Sequence, residues 1–435
     1  MTEILPTLFT GARVIDPAAG IDERADVLVA DGRVVLNPKE LPDERAVVDA
    51  AGLWLLPGLI DLQVHFREPG FEHKETLETG AKAAFSGGVT SVVVMPNTKP
   101  ALDTPEAVRF QIEEGARQGL HLFVAAAATK GIAGEELTDH RALKEAGAVA
   151  ITDDGLPVLD DAIMRASLEA CAANDLLFMQ HAEDVRMTKH APMTECEVSR
   201  ALGVPGQSAD AEGVIVERDV ALAEQTGARY HVLHTSTSRS LAAVRAAKAA
   251  GARVTCEASP HHLLLTTEAC RGGDPNTKMN PPLREEPDRR ALVEALIDGT
   301  VDAVATDHAP HSAEEKARGF VDAPFGVVGL ETAFASVLSF VHDGAISARR
   351  AVELMTSGPA RVLRREGELG TLFGPRAVAD LCLVDPDCVW TLRPDDLQGR
   401  SHNSPFLGRQ FKGRVLATYV GGILRYRLPE ASASA

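Results

Sequence analysis

Five side chains of the kind that ligate divalent cations, His65, Asp154, His181, His234 and Asp307, stand tens of residues apart in the chain. Each closes an apolar run: GLIDLQVHF, GAVAITDDG, LLFMQHAED, RYHVLHTST and VDAVATDHAP. Imidazole nitrogen with carboxylate oxygen suits zinc, and ligand type alone also admits manganese and cobalt. A carboxylate has two oxygens and can bridge two ions, whereas a neutral imidazole offers one lone pair. Asp153 and Asp154 are adjacent, so only one of them faces inward on a regular strand. A single histidine at a strand end is more often structural; the repetition of the pattern is what argues for ligation. The chemistry open to two such ions about 3.5–4 Å apart is hydrolysis, by lowering the pKa of a water and polarising a carbonyl.

The sharpest local signal is DLQVHFREPG. Alternation along a strand puts Asp61, Gln63, His65 and Arg67 on one face and Leu62, Val64 and Phe66 on the other, against helices. Four inward polar groups are costly unless something there binds them; the competing reading is a hydrogen-bonded polar core. Arg67, a cation just past the strand end, suits a substrate carboxylate. Gln63 stands where a second histidine is expected beside His65. A glutamine oxygen is neutral and a poorer zinc ligand than imidazole.

Hydrophobic strands that stop on such residues are the pattern of a (β/α)8 barrel with metal at its mouth. Eight apolar runs, near residues 56–66, 89–97, 121–129, 147–154, 176–183, 229–235, 252–260 and 301–308, alternate with helix-like Ala/Glu/Arg-rich stretches. A doubly wound sheet is the alternative, but neither GxGxxG after the first strand nor GxxxxGK[ST] occurs. Short strands at both ends, among them ARVIDP, ADVLVADGRVV, ADLCLVDPD and RVLATYVGGILRYR, need each other to bury a core. The expected organisation is therefore a composite β-sandwich from residues 1–56 and 363–430 around a barrel of residues 57–362. The tail ASASA is expected to be disordered.

A length of 435 residues accommodates both units. The net charge of -18 argues against nucleic acid or an anionic membrane as partner, though not against a small anionic substrate. The start, MTEILPTLFT, has no basic region followed by an apolar run, and no apolar stretch is long enough to span a membrane. The six cysteines form no CxxC pair, in keeping with reduced thiols and a cytoplasmic protein.

The chain resembles dihydroorotases of the amidohydrolase superfamily, in the class whose metal bridge is an aspartate. The resemblance runs from about residue 11 to 425 and rests on DLQVHFREPG, VMPNTKPALDT, TDDG, HAED, HTST, EASPHHLLLT, KMNPPLRE, ATDHAPH and APFG in that order. It implies His65 and Asp307 on one ion, His181 and His234 on a second, and Asp154 between them. It further implies that Arg67, Asn97 and His311 hold a substrate carboxylate, and that Asn280 and the Phe325–Gly326 backbone contact ring amides. The implied reaction interconverts dihydroorotate and N-carbamoyl-L-aspartate in pyrimidine biosynthesis, with Asp307 moving the proton. Two zinc ions per chain are expected, or one because of Gln63. Hydantoinases and allantoinases resemble the same barrel but bridge their metals with a carboxylated lysine; here Lys144 lies upstream, on a solvated helix face. A homodimer, or an assembly with aspartate transcarbamoylase, is implied by resemblance only. The alternatives are a catalytically silent scaffold for that enzyme and another cyclic amidohydrolase. His261 and His262 are expected to support ligands; His190 is expected to be a surface or packing residue. The connection after the fifth strand and KMNPPLRE are the lid candidates.

Overall fold

The computed structural model describes residues 5–429; the tail ASASA lies outside them. Eight parallel strands follow one another around a barrel: Leu59–Val64, Val89–Val94, His121–Ala127, Ala150–Thr152, Leu177–Gln180, Arg229–Val232, Val254–Ala258 and Ala303–Val304. All eight expected runs are present, and each is joined to the next by a crossover containing helix. β-Branched runs such as VTSVVV suit strands buried on both faces. The helices between them carry local start and stop signals. Thr104 caps Pro105–Gln118, for example, and Gly119 ends that helix in the left-handed conformation at φ 75°.

The ring closes between the eighth and first strands through few bonds. A parallel bridge pairs Val64 with His308, and the His65 amide donates to the His308 carbonyl at 2.8 Å. Asp61 completes the seam. Its two carboxylate oxygens accept the Thr306 amide at 3.2 and 3.1 Å, and one of them also accepts the Gln63 amide at 3.1 Å. Burial pushes this carboxyl up to about 7, against those hydrogen bonds. Asp61 is thus a structural staple of the barrel.

Leu62 departs from simple alternation. It packs with Ile60, Val93, Met95, Ala125 and Met179 in a core distinct from the one that takes Val64 and Phe66 with the helices. The cause is a bulge: Asp61 pairs with Val92 and Val64 with Val94, so the first strand carries one extra residue. The bulge resets the facing of the strand just before Gln63 and His65.

Both termini contribute to one further sheet. Thr7–Asp16, Ile21–Ala30, Arg33–Leu36, Ala46–Asp49 and Trp54–Pro57 join Leu381–Thr391, Gln410–Val420 and Ile423–Arg427. The junction is antiparallel, with Leu55 opposite Leu383. Phe9, Val14, Val27, Leu55, Leu381 and Tyr419 share its core, Phe9 meeting Tyr419 edge-on at 5.5 Å. Among the described residues no helix is long and apolar enough to cross a membrane.

Candidate metal centre and binding cavity

The strand ends deliver the expected side chains to one cavity of about 270 Å³, lined by His65, Arg67, Asn97, Asp154, His181, His234, Asn280, Asp307, His311, Phe325 and Gly326. Asp154, His181 and His234 form the tightest group. His181 Nδ1 lies 2.9 Å from His234 Nε2, and Asp154 Oδ1 lies 3.7 and 3.8 Å from those two nitrogens. Tetrahedral ligands at zinc bond lengths sit about 3.4 Å apart, a value these edges bracket. All three side chains are buried. Asp153 turns away, its carboxylate accepting the Ala128 and Thr129 amides at 2.8 and 3.0 Å, so one aspartate of the pair faces the cavity.

His65 and Asp307 stand across from this group. His65 Nε2 is 3.2 Å from Asp154 Oδ2 and 3.1 Å from Asp307 Oδ1. Burial opposes a charge on this ring, yet the two carboxylates lift its pKa to about 9. Carboxylate oxygens and imidazole nitrogens that converge from opposite sides are the donor types a divalent cation takes. Gln63 Nε2 donates to Asp154 Oδ2 over a long 3.4 Å, and Gln63 Oε1 is buried with no hydrogen-bond partner. An unpaired buried oxygen next to these donors also fits a cation. The donor set suits divalent metal on both counts.

Four non-glycine residues that line the cavity hold left-handed backbone: Arg67 at φ 62°, His190 at φ 55°, His234 at φ 28° and Asp307 at φ 50°. Such conformations cost about 1–3 kcal/mol each and persist only where the surroundings enforce them. Gly326 is needed on other grounds. A Cβ there would meet Ala309 Cβ at 2.8 Å and the Ala309 carbonyl at 2.9 Å.

The anion-binding side has its own wiring. Arg67 Nε donates to the Pro310 carbonyl at 3.2 Å, and burial pushes its pKa down to about 10 despite nearby carboxylates. His311 Nε2 donates to the Phe325 carbonyl at 2.7 Å, leaving Nδ1 to accept from Lys74 Nζ at 3.3 Å. Burial, with Arg67, Lys74 and Lys316 around it, holds His311 far below the ordinary histidine value and thus neutral. Asn97 Oδ1 accepts from His65 Nδ1 at 2.8 Å, which orients the ring with Nε2 toward the two carboxylates.

Several placements were not visible in the sequence. Glu183 lines the cavity and bonds His181 Nε2 at 3.0 Å. Burial works against its charge, but His181, Thr188 and Asn280 hold it down to about 2. His190, expected at the surface or in packing, is exposed but lines the cavity rim, as does Leu156. KMNPPLRE is tied down at both ends. Lys278 Nζ donates to the Val321 and Ala323 carbonyls at 2.6 Å each, and Arg284 donates to Ser236 Oγ at 3.0 Å and Thr194 Oγ1 at 3.1 Å. The segment forms a wall of the cavity through Asn280. His262 supports that wall by donating to the Pro281 carbonyl at 2.9 Å. Lys144 is exposed on the helix His140–Glu145 and donates to the Asn174 carbonyl, away from the cavity.

A sequence profile of the family described as Dihydro-orotase-like matches residues 52–240. The dihydroorotase of Syntrophotalea carbinolica is 45% identical over 425 residues, covering 97% of this chain and 99% of that protein. The dihydroorotase of Anaeromyxobacter dehalogenans strain 2CP-C is 46% identical over 427 residues, covering 97% and 98%. The chain belongs to the dihydroorotase family. That family is metal-dependent, in agreement with the Asp154–His181–His234 group. Solved hydantoinases share the architecture of this dihydroorotase-family chain. The L-hydantoinase (dihydropyrimidinase) of Arthrobacter aurescens superposes with a TM-score of 0.83 at 25% identity over 96% of this chain and 95% of that one. The dihydropyrimidinase of Brevibacillus agri NCHU1002 gives 0.83 at 24% identity, over 97% and 95%.

Proposed function

We propose that this chain catalyses the reversible hydrolysis of dihydroorotate to N-carbamoyl-L-aspartate, the ring-closing direction serving pyrimidine synthesis in the cytoplasm. The observation that carries the reading is the Asp154–His181–His234 triangle, set in one cavity with Arg67. A cyclic amide attached to a carboxylate needs both parts. A divalent ion, taken here as zinc, supplies when bound an acidified water and a polarised carbonyl. Asp154, His181 and His234 would hold one ion; His65, Asp307 and, more weakly, Gln63 would hold a second.

Arg67 would fix the substrate carboxylate, with Asn97 and His311 beside it. Asn280 and the Phe325–Gly326 backbone would orient the ring amides. Asp307 would take a proton from the attacking water and deliver it to the ring nitrogen as the C–N bond breaks. The hydantoinase-like alternative is not favoured, because Asp154 takes the place of a bridging lysine and Arg67 provides for an anion. The silent-scaffold alternative is not favoured either, because donors, cation and base converge on one cavity. A homodimer, or a complex with aspartate transcarbamoylase, is the assembly proposed with this activity.

The test is loss of dihydroorotate absorbance with metal-stripped protein reconstituted at rising zinc ratios. Turnover should rise with zinc; zinc binding without turnover at any ratio would overturn the assignment. The same titration on Gln63→His bears on the second ion. Imidazole replaces a neutral amide oxygen, so the weaker zinc should bind about tenfold tighter. An unchanged zinc isotherm would remove Gln63 from the ligand set.

A further inference from the structure

We infer that Glu183 is the positioning residue of this centre, fixing a metal ligand and a ring-binding amide through one carboxylate. The inference rests on the proposed reaction and goes beyond its ligand set. Glu183 is buried two residues after His181, where the strand has ended and the chain turns toward the helix Val185–Thr188. Its Oε2 accepts from His181 Nε2 at 3.0 Å and from Asn280 Nδ2 at 2.7 Å. Its Oε1 accepts the hydroxyl of Thr188.

The consequence for His181 follows from the chemistry of imidazole. A neutral ring has one N–H and one lone pair. With the proton on Nε2 and held by Glu183, the lone pair is on Nδ1, the atom that faces His234 and Asp154. A carboxylate behind a ligating histidine fixes its tautomer, steadies the ring and makes it a better donor. Glu183 is not itself part of the ligand triangle, since it bonds the opposite nitrogen of His181 from the one Asp154 faces.

The consequence for Asn280 follows from the same oxygen. Lys278 and Arg284 tie down the segment on either side of Asn280 through bonds that do not involve the Asn280 amide. Asn280 Nδ2 also lies 3.1 Å from His181 Nε2, a contact that cannot be a hydrogen bond while that nitrogen carries its proton. The bond to Glu183 is therefore what sets the amide. Removing the carboxylate disturbs both the ion and the ring contact, a pairing that a merely structural acid would not produce.

The experiment measures zinc affinity by competition with a chromophoric chelator, and KM and kcat for dihydroorotate, in the parent, Glu183→Ala, Glu183→Gln and Asn280→Ala. Glu183→Ala should bind zinc about 10–100-fold more weakly and also raise KM. Glu183→Gln keeps an acceptor for His181 without the charge, so its zinc affinity should lie between the two. Asn280→Ala should raise KM with zinc affinity unchanged. Parent-like zinc affinity in Glu183→Ala overturns the inference while leaving the proposed function standing. If Glu183→Ala fails to fold, parent-like zinc affinity and KM in Glu183→Gln overturn it instead. A parent that binds no zinc removes the proposed function and this inference together.

Discussion

Replacing Asp307 by asparagine should lower kcat by about 10³–10⁴-fold, the upper range for loss of a positioned proton-transfer group. Asparagine keeps the size of the side chain and one acceptor oxygen but cannot carry the proton from water to the leaving nitrogen. It also leaves the Asp154–His181–His234 triangle intact, so zinc at that side should be retained, along with the circular dichroism of the parent. The left-handed backbone at φ 50° is tolerable for asparagine, which visits that region readily, so the strand end should keep its course. Steady-state kinetics and zinc content measured on one preparation decide the matter. Turnover within tenfold of the parent, with zinc bound, would assign the proton transfer to another group.

The second large effect is expected at Arg67→Met. Losing a largely desolvated guanidinium that faces a carboxylate costs about 3–4 kcal/mol, or about 10²–10³ in kcat/KM. Most of it should appear in KM, since the carboxylate is bound alike in ground and transition states. Dihydrouracil, the same ring without the carboxylate, provides the control. Its slow hydrolysis should be no slower in Arg67→Met than in the parent. Equal losses on both substrates would point to a collapse of the mouth rather than to anion binding. Lys74 and His311 do not compensate: His311 is neutral, and Lys74 is engaged by Glu315 at 3.0 Å.

Much of this architecture was legible because barrel strands and metal ligands obey simple rules. Apolar runs of five to seven residues ending on His or Asp gave the strands and their polarity, and the adjacent pair Asp153–Asp154 had to split between two directions. Lys144 was legible as a surface residue from its place in a helical stretch. What was not legible depends on geometry that residue type does not encode. The bulge between Asp61 and Val64 turns Leu62 away from its expected face, and nothing in LIDLQV marks an extra residue. HAED offers two acids in succession. Glu183 turns to His181, whereas Asp184 caps the next helix and pairs with Arg186 at 2.6 Å. Either could have been the inward one. The tethering of KMNPPLRE rests on Lys278 and Arg284 reaching backbone and hydroxyl oxygens from distant segments, and such acceptors leave no trace in a sequence.

The closure of the barrel has a bearing on how the molecule lasts. His65 and Asp307 face each other across the seam, where few backbone bonds join the strands, and the eighth strand itself is only Ala303–Val304. Anything gripped between those two side chains acts as a clasp on the hoop. At a hundredfold excess over its dissociation constant, such a ligand adds about 2.7 kcal/mol to the closed form. Without it, the junction would rest on the Val64–His308 bridge, the His65–His308 backbone bond and the Asp61–Thr306 contacts.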